Sequence, residues 1–232
     1  MVSVSIMGDS ISTFDGYNPP HYAVFYDKEK QTLHGLTSVY DTWWAKVNQA
    51  LQACLCVNNS YSGSKVSGKR FPAGDSDERI RCLSAKDSSP DYILIYLGFN
   101  DFGNGIIPVR SGSGASSINS RESFAEAYDN MLKSIKACYP AAIIVCGTLM
   151  RTKIKGYPGW RFPEDYAGFK LEDYNEIIRA VTRMNGCCLA DVARKGEAYE
   201  TLDGSHPTAQ GHRAIAAAWI RCLYDLCLID GV

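Results

Sequence analysis

The chain has 232 residues, enough for one sizeable α/β domain, and its 24 basic and 25 acidic residues give a net charge of −1. The two signs are interspersed, so there is no basic stripe for a phosphate backbone or an anionic membrane surface, and neither nucleic acid nor membrane is expected as a partner. A hydrophobic share of 46% without an apolar run approaching about 18 residues argues a globular chain and against a helical membrane span.

The first stretch, VSVSIM followed by Gly8-Asp9-Ser10, reads as a strand that ends in a serine. Met1 runs directly into it with no leader ahead, which sets a cytoplasmic location as the expectation. Phe14 to Val39 is rich in Pro, Gly and aromatic residues and lacks a period, so it reads as irregular. Asp41 is placed to cap a helix running to about Cys54, with Trp44, Val47 and Leu51 on one face. Cys54 to Val57 reads as the second strand, and Asp75 to Leu83 as a short helix. Asp91 to Gly98, DYILIYLG, is a nearly unbroken apolar run of the kind a central parallel strand needs when both faces are covered.

After Gly98-Phe99-Asn100-Asp101 comes a Gly/Ser-rich loop, Phe102 to Ser120. A strong amphipathic helix follows, with Phe124, Tyr128, Met131, Leu132 and Ile135 in one stripe. Ser123 with Glu126, or Ser120, is placed to cap it, and Pro140 ends it. Ala141 to Thr148 reads as the fourth strand, Arg151 to Ala167 as a long connection, and Leu171 to Val181 as a helix closed by Asn185-Gly186. Cys187 to Val192 is the fifth strand. Pro207 to Leu228 is the last helix, with Pro207 as its first residue.

Five alternations of strand and helix without a linker predict a single domain over 1–232, with a parallel sheet between two helix layers. Right-handed crossovers bring every strand's C-terminal end to one edge, where the loops after the first, third and fourth strands open a crevice beside Ser10. Most of the nine cysteines sit in apolar runs, as small buried hydrophobes do in a reducing compartment. No CxxC occurs, and the four histidines, His21, His34, His206 and His212, show no metal-ligand spacing, so neither metal nor cofactor is expected.

A serine hydroxyl needs a base within hydrogen-bond reach, and the base needs a partner. Asp203-Gly204-Ser205-His206 supplies such a pair on one tight turn at the edge that carries Ser10. The tetrahedral intermediate of acyl transfer also needs hydrogen-bond donors. Candidates are the amide of Ser10, the amide of Gly63, which can come close because glycine lacks a Cβ, and the side chain of Asn100. Each type is common in a turn; their convergence from four strand ends is what carries the reading. Gly63 to Arg70 comes one residue short of a phosphate-binding loop, but Arg70 replaces the required hydroxyl and Phe71-Pro72 opposes the helix. Nucleotide binding is rejected on that ground.

Taken together, Gly8-Asp9-Ser10, Gly63, Gly98-Phe99-Asn100-Asp101 and Asp203-Gly204-Ser205-His206 resemble the ordered blocks of the SGNH hydrolases, the GDSL-type esterases, from Ile6 to His212. The resemblance implies a flavodoxin-like, three-layer α/β/α fold on a five-stranded parallel sheet. It implies Ser10 as nucleophile, His206 as general base and Asp203 as the residue that orients it. The amides of Ser10 and Gly63 and the Asn100 side chain would form the oxyanion hole. Aromatic residues in the edge loops, Tyr17, Phe99, Tyr157 and Trp160 among them, are candidates for substrate contact, since their faces suit sugar rings and acyl chains. The expected activity is hydrolysis of a small-molecule ester, with a short acyl group on a carbohydrate favoured. Lysophospholipase or thioesterase activity, and a silent carbohydrate-binding module, are the alternatives. Oligomeric state is not legible.

Overall fold

A computed structural model describes residues 2–109 and 123–229. Strand β1, Ser3–Gly8, lies inside a five-stranded parallel sheet with β2 (Cys54–Ser60) on one side and β3 (Tyr92–Tyr96) on the other. Beyond β3 come β4 (Ile143–Gly147) and β8 (Cys188–Ala190), giving the order β2-β1-β3-β4-β8. The register sets Ile6 against Asn58 on one side and Leu94 on the other. Ile6, Leu94 and Val145 are fully buried, as the apolar runs require of strands covered on both faces.

The helices form two groups. Helix α2 (Trp43–Ala50) packs on α8 (Ala209–Asp225), with the short α7 (Val192–Lys195) beside it. Helices α3 (Asp77–Arg81), α5 (Phe124–Cys138) and α6 (Leu171–Met184) form the second group. The crossover from β1 runs outward to β2 while the later ones run the other way, so right-handed connections place the groups on opposite faces. The result is the expected three-layer α/β/α sandwich. In the α2/α8 layer, Trp43 stacks on Trp219 with centroids 5.1 Å apart. The Trp43 indole also donates to Ser12 Oγ at 3.1 Å, which ties this layer to the turn after β1.

Several local expectations are corrected. The segment read as irregular contains α1, Lys28–His34, capped by Asp27, whose side chain accepts from the Lys30 amide. Asp41 does not cap α2; it closes a 3-10 turn, Val39–Asp41, and Thr42 caps the helix by accepting from the Ala45 amide. Strand β2 runs on to Ser60, three residues further than the apolar run, and the Asn58 and Asn59 side-chain amides donate to carbonyls inside the fold, Asn58 to Ser12 and Asn59 to Arg79 and Cys82. Pro207 lies before α8 rather than in it, since Thr208 accepts from the Gly211 amide and starts the helix at Ala209. Only Cys146 and Cys222 are buried; Cys54, Cys82, Cys138 and Cys227 are exposed, and none of the nine is in a disulfide. Ser123 and Glu126 do form the capping box of α5, while Ser120 lies outside the described residues.

The long connection after β4 holds β5 (Thr152–Ile154), which pairs in parallel with β9 (Tyr199–Thr201), and a small hairpin of β6 (Asp165–Tyr166) and β7 (Phe169–Lys170). After β3 the chain forms a short helix, α4 (Phe99–Gly103), where a loop was expected to begin. No described helix is long and apolar enough to cross a membrane.

Gly211 shows how closely α8 approaches β9. A Cβ there would collide with the Glu200 carbonyl oxygen and lie 2.8 Å from the Pro207 Cβ. Gly211→Ala is therefore expected to cost about 1–3 kcal/mol of stability by overpacking. Gly103→Ala, where a Cβ meets nothing within 4 Å, is the control and should be close to neutral in the same urea-denaturation measurement.

Candidate active site

Strand β1 cannot continue past Gly8, because the chain turns there into a 3-10 helix, Ser10–Ser12. Asp9 caps that turn, its Oδ1 accepting from the Ile11 amide at 3.0 Å. Gly8 is required by space: a Cβ would lie 2.7 Å from the Ser12 Cβ and 3.0 Å from Ser60 Oγ. Ser10 thereby emerges at the C-terminal edge of the sheet, with its carbonyl held by Thr13 Oγ1 at 2.9 Å.

The loop that faces it follows β9. Gly204 adopts φ +89°, a left-handed conformation that favours glycine, and this bends the loop back on itself. The Gly204 amide donates to Thr201 Oγ1 at 3.0 Å, and its carbonyl accepts from Thr152 Oγ1 at 2.7 Å. Tyr199 donates to the Ser205 carbonyl at 2.9 Å, and Tyr26 to the Pro207 carbonyl at 2.7 Å. Asp203 Oδ1 accepts from the amides of Ser205 and His206 at 2.9 and 2.8 Å.

These constraints bring three side chains into line. Asp203 Oδ2 lies 2.7 Å from His206 Nδ1, and His206 Nε2 lies 2.9 Å from Ser10 Oγ. With Nδ1 protonated and donating to Asp203, Nε2 is left to accept the Ser10 hydroxyl proton. Partial burial acts to raise the Asp203 pKa, but hydrogen bonds from the His206 ring and amide and from the Ser205 amide outweigh it and hold the carboxyl well below its ordinary range. The carboxylate is thus ionised whenever the imidazole takes up a proton. Such a line can move a proton off a hydroxyl and support the charge that results.

The expected oxyanion donors are tied to the same strand ends. The amides of Ser10 and Gly63 donate to no acceptor among the described residues. Asn100 lies in the first turn of α4, and its Nδ2 gives one hydrogen to the Ser64 carbonyl at 3.0 Å, keeping the second. The Ser64 hydroxyl donates to the Gly8 carbonyl, so the Gly63 loop is braced between β1 and α4. A Cβ on Gly63 would meet no protein atom within 4 Å, and its φ of +79° is a conformation that favours glycine.

Two buried ionisable side chains hold these loops: Asp101, the last residue of the block after β3, and Arg79, which nothing in the sequence singles out. Asp101 accepts from the Val66 amide at 2.7 Å and from the amide and hydroxyl of Ser67 at 3.1 and 2.8 Å. Burial pushes its pKa up to about 6 despite those bonds. Arg79 donates to the carbonyls of Asn59 and Pro72 at 2.9 and 2.6 Å, to Asn59 Oδ1 at 3.1 Å, and to the Gly8 carbonyl.

The aromatic candidates are spread around the site. Phe99, beside Asn100, packs its ring near Phe102 and Phe162, and Trp160 continues that row at 6.3 Å from Phe162. Trp160 also covers Gly204, since a Cβ on that residue would stand 3.3 Å from the indole. Tyr157 and Trp160 line a cleft of about 440 Å³ with Thr152, Ile154 and Arg161. Tyr17 is placed elsewhere, against Phe14 and Trp44 of α2. The ring that does meet the line of three side chains is Phe25, stacked on His206, an edge-loop aromatic outside the four expected to contact substrate.

A parallel α/β/α sandwich with a serine, a histidine and an aspartate aligned at its strand ends is an arrangement of the class that ester hydrolases use. The model of the GDSL-like lipase/acylhydrolase family matches residues 2–156, and the chain belongs to that family. It is an ester-hydrolysing enzyme. Among solved structures it is similar to a Bacteroides uniformis protein assigned as a GDSL-like lipase, at 26% identity over 97% of this chain and 96% of that one, TM-score 0.69. A Bacteroides ovatus protein assigned likewise shares 24% identity over 97% and 99%, TM-score 0.70. A carbohydrate acetylesterase from Sinorhizobium meliloti shares the fold at 13% identity over 97% and 100%, TM-score 0.66. No curated protein matches the sequence.

Asp9 offers a test of the electrostatics beneath Ser10. Burial pushes its pKa from 3.8 up to about 6, against the Ile11 amide, His206 and Arg79, which pull it down. Between those two values folded Asp9 keeps a proton that the unfolded chain releases, so its contribution to stability falls as pH rises. His34 and His212, both lowered by burial, contribute the opposite slope, so the difference between variant and wild type is the quantity to read. Asp9→Asn cannot titrate, and its stability relative to wild type is expected to rise by up to about 3 kcal/mol across that window in urea denaturation. A pH-independent difference would place the Asp9 proton elsewhere.

Proposed function

We propose that the protein is a serine esterase that removes a short, acetyl-like acyl group from a carbohydrate or other small alcohol through an acyl-enzyme on Ser10. The observation that carries this reading is the line Asp203–His206–Ser10, with contacts of 2.7 and 2.9 Å. In the proposed reaction Ser10 Oγ attacks the acyl carbon while His206 Nε2 takes its proton. The carbonyl π pair moves onto the oxygen, which the amides of Ser10 and Gly63 and the free Asn100 hydrogen receive. Collapse of the tetrahedral centre breaks the bond to the alcohol oxygen, which leaves with the proton from His206. Water, deprotonated by the same nitrogen, then attacks the acyl-enzyme; the bond from the acyl carbon to Ser10 Oγ breaks, Oγ takes the proton back from His206, and the carboxylic acid leaves.

Preference for a short acyl group is supported by the ring-on-ring packing of Phe99, Phe102 and Phe162 beside Asn100. Preference for a sugar alcohol is supported by Tyr157 and Trp160, flat faces set among Lys153, Lys155 and Arg161 in the cleft behind Gly204. The Sinorhizobium acetylesterase, similar in fold, is in keeping with both.

Ser10→Ala is expected to keep the fold, lose turnover and take up no fluorophosphonate by intact mass, whereas wild type gains one adduct. Asp203→Asn should lower kcat by up to about ten-thousand-fold, as loss of the tautomer-setting carboxylate does in other triads. On nitrophenyl esters the acetyl compound should be turned over faster than those of long fatty acids. The reverse order would move the assignment to a lysophospholipase or thioesterase.

A further inference from the structure

Phe25 lies face to face on the imidazole of His206, with ring centroids 3.4 Å apart and planes 6° from parallel. Among the described residues it is the ring stacked on His206. Its own position is fixed from several sides. The Phe25 amide donates to Thr13 Oγ1 at 2.9 Å, and the same Thr13 hydroxyl donates to the Ser10 carbonyl at 2.9 Å. Its ring meets the edges of Tyr26 and His34 at 4.9 and 5.4 Å, nearly perpendicular. The Tyr26 hydroxyl and His34 Nδ1 both contact the Pro207 carbonyl, one residue past His206, at 2.7 and 3.2 Å. The contacts close a ring: Ser10 to Thr13, Thr13 to Phe25, Phe25 to His206, and His206 back to Ser10.

Face-to-face stacking at this overlap is poor for two neutral rings, because their quadrupoles repel. It is favourable when one ring is a cation lying on the π face of the other. A positive charge that develops on His206 as it takes the Ser10 proton would therefore meet an attractive face. The charged and titratable groups around it are Asp203 at Nδ1, Asp9 below Ser10, His34 and His212 beyond the stack, and Lys30, whose Nζ lies 5.9 Å from the Phe25 centroid. The carboxyls support the same charge and the other groups oppose it, so the ring adds to Asp203 on a face no carboxylate covers.

We propose that Phe25 is a positioning residue for His206: its face holds the imidazole in the plane that joins Asp203 to Ser10 and stabilises the cation formed as Ser10 attacks. The inference rests on the Ser10–His206 reading given under the proposed function. Interactions made only in the transition state act on kcat rather than on KM, and Phe25 touches no group that holds ground-state substrate in that reading.

The test compares Phe25→Leu, Phe25→Met, Phe25→Tyr and Phe25→Trp with wild type on nitrophenyl acetate. Leu and Met keep apolar cover over the imidazole and remove the π face; Tyr and Trp restore it. The aliphatic variants are expected to lose about two- to thirty-fold in kcat with KM little changed, the range a cation–π contact supplies. At least one aromatic variant should recover to near wild type. Thermal melts show which variants fold, and the comparison needs one folded member of each pair. Wild-type kcat in an aliphatic variant, a loss confined to KM, or aromatic variants as slow as aliphatic ones would each overturn the proposal. Ser10→Ala and His206→Ala run alongside separate the two readings. If they keep turnover, the relay itself is wrong; if they are silent while Phe25→Leu is unaffected, only the role of Phe25 fails.

Discussion

The contact between His206 Nε2 and Ser10 Oγ joins residues 196 positions apart, one just past the first strand and the other just before the last helix. Nothing local can secure such a distance. It depends on a parallel sheet, in which right-handed crossovers return every strand to the same starting edge and so deliver every strand end to the opposite one. Within that frame the final fraction of an ångström is set by short polar contacts to the loop after β9: Thr152 and Thr201 on Gly204, Tyr199 on Ser205, Tyr26 and His34 on Pro207. Each contributes only about 1 kcal/mol net to stability. Their value lies in orientation, because together they leave the imidazole a single plane.

The other side of the site is secured at a cost in stability. Arg79 is fully buried with no carboxylate in ion-pair contact among the described residues, and burial pulls its pKa down to about 10. Its partners are carbonyl oxygens at the ends of β1 and β2 and at Pro72. A buried cation satisfied by dipoles alone is a weak source of folding energy. What it accomplishes is to lock the strand ends that present Ser10 and lead to the Gly63 loop. Asp101 does the same for Val66 and Ser67. These buried charges hold the strand ends and loops next to the Ser10 and Gly63 amides, which have no acceptor among the described residues; donors can stay free at an edge only if neighbouring loops are held from collapsing onto them.

Much of this was legible in the sequence, and the parts that were not share a cause. The strands β1, β3 and β4 announce themselves because burial on both faces demands unbroken apolar runs. Gly204 and the pair Asp203 and His206 are visible because a tight turn and its chemistry lie within four letters. Helix α1 was hidden because only seven residues, mostly polar, separate its cap from Gly35, and Pro19, Pro20 and the aromatics before it dominate the composition. Thr42 and Thr208 lost to Asp41 and Pro207 as helix starts because capping is decided by which oxygen reaches an amide, a geometric matter. Phe25 was one aromatic among several, and its stacking partner lies at the far end of the chain. The cysteines misled for a related reason: Cys54 and Cys227 lie at element ends, where an apolar neighbourhood in sequence does not mean burial in space.

The connections between β1 and α2 and between β4 and α6 both reach the edge that carries Ser10. The segment after β4 carries Trp160 against Gly204, and the segment after β1 carries Phe25 against His206 and Tyr26 against Pro207. The connections beside the edge that carries Ser10 and the supports of the proposed base are therefore the same pieces of chain. Solved structures at 13% to 26% identity share the sheet and helix layers, so the frame tolerates wide change in sequence. The loops are less free. A change that reshapes the Tyr22–His34 segment to admit a different alcohol moves the ring that covers the imidazole, and a change at Trp160 moves the turn on which Asp203 sits. In the proposed reaction selectivity and catalytic geometry are coupled through packing, most directly where the Phe25 face lies on the imidazole of His206.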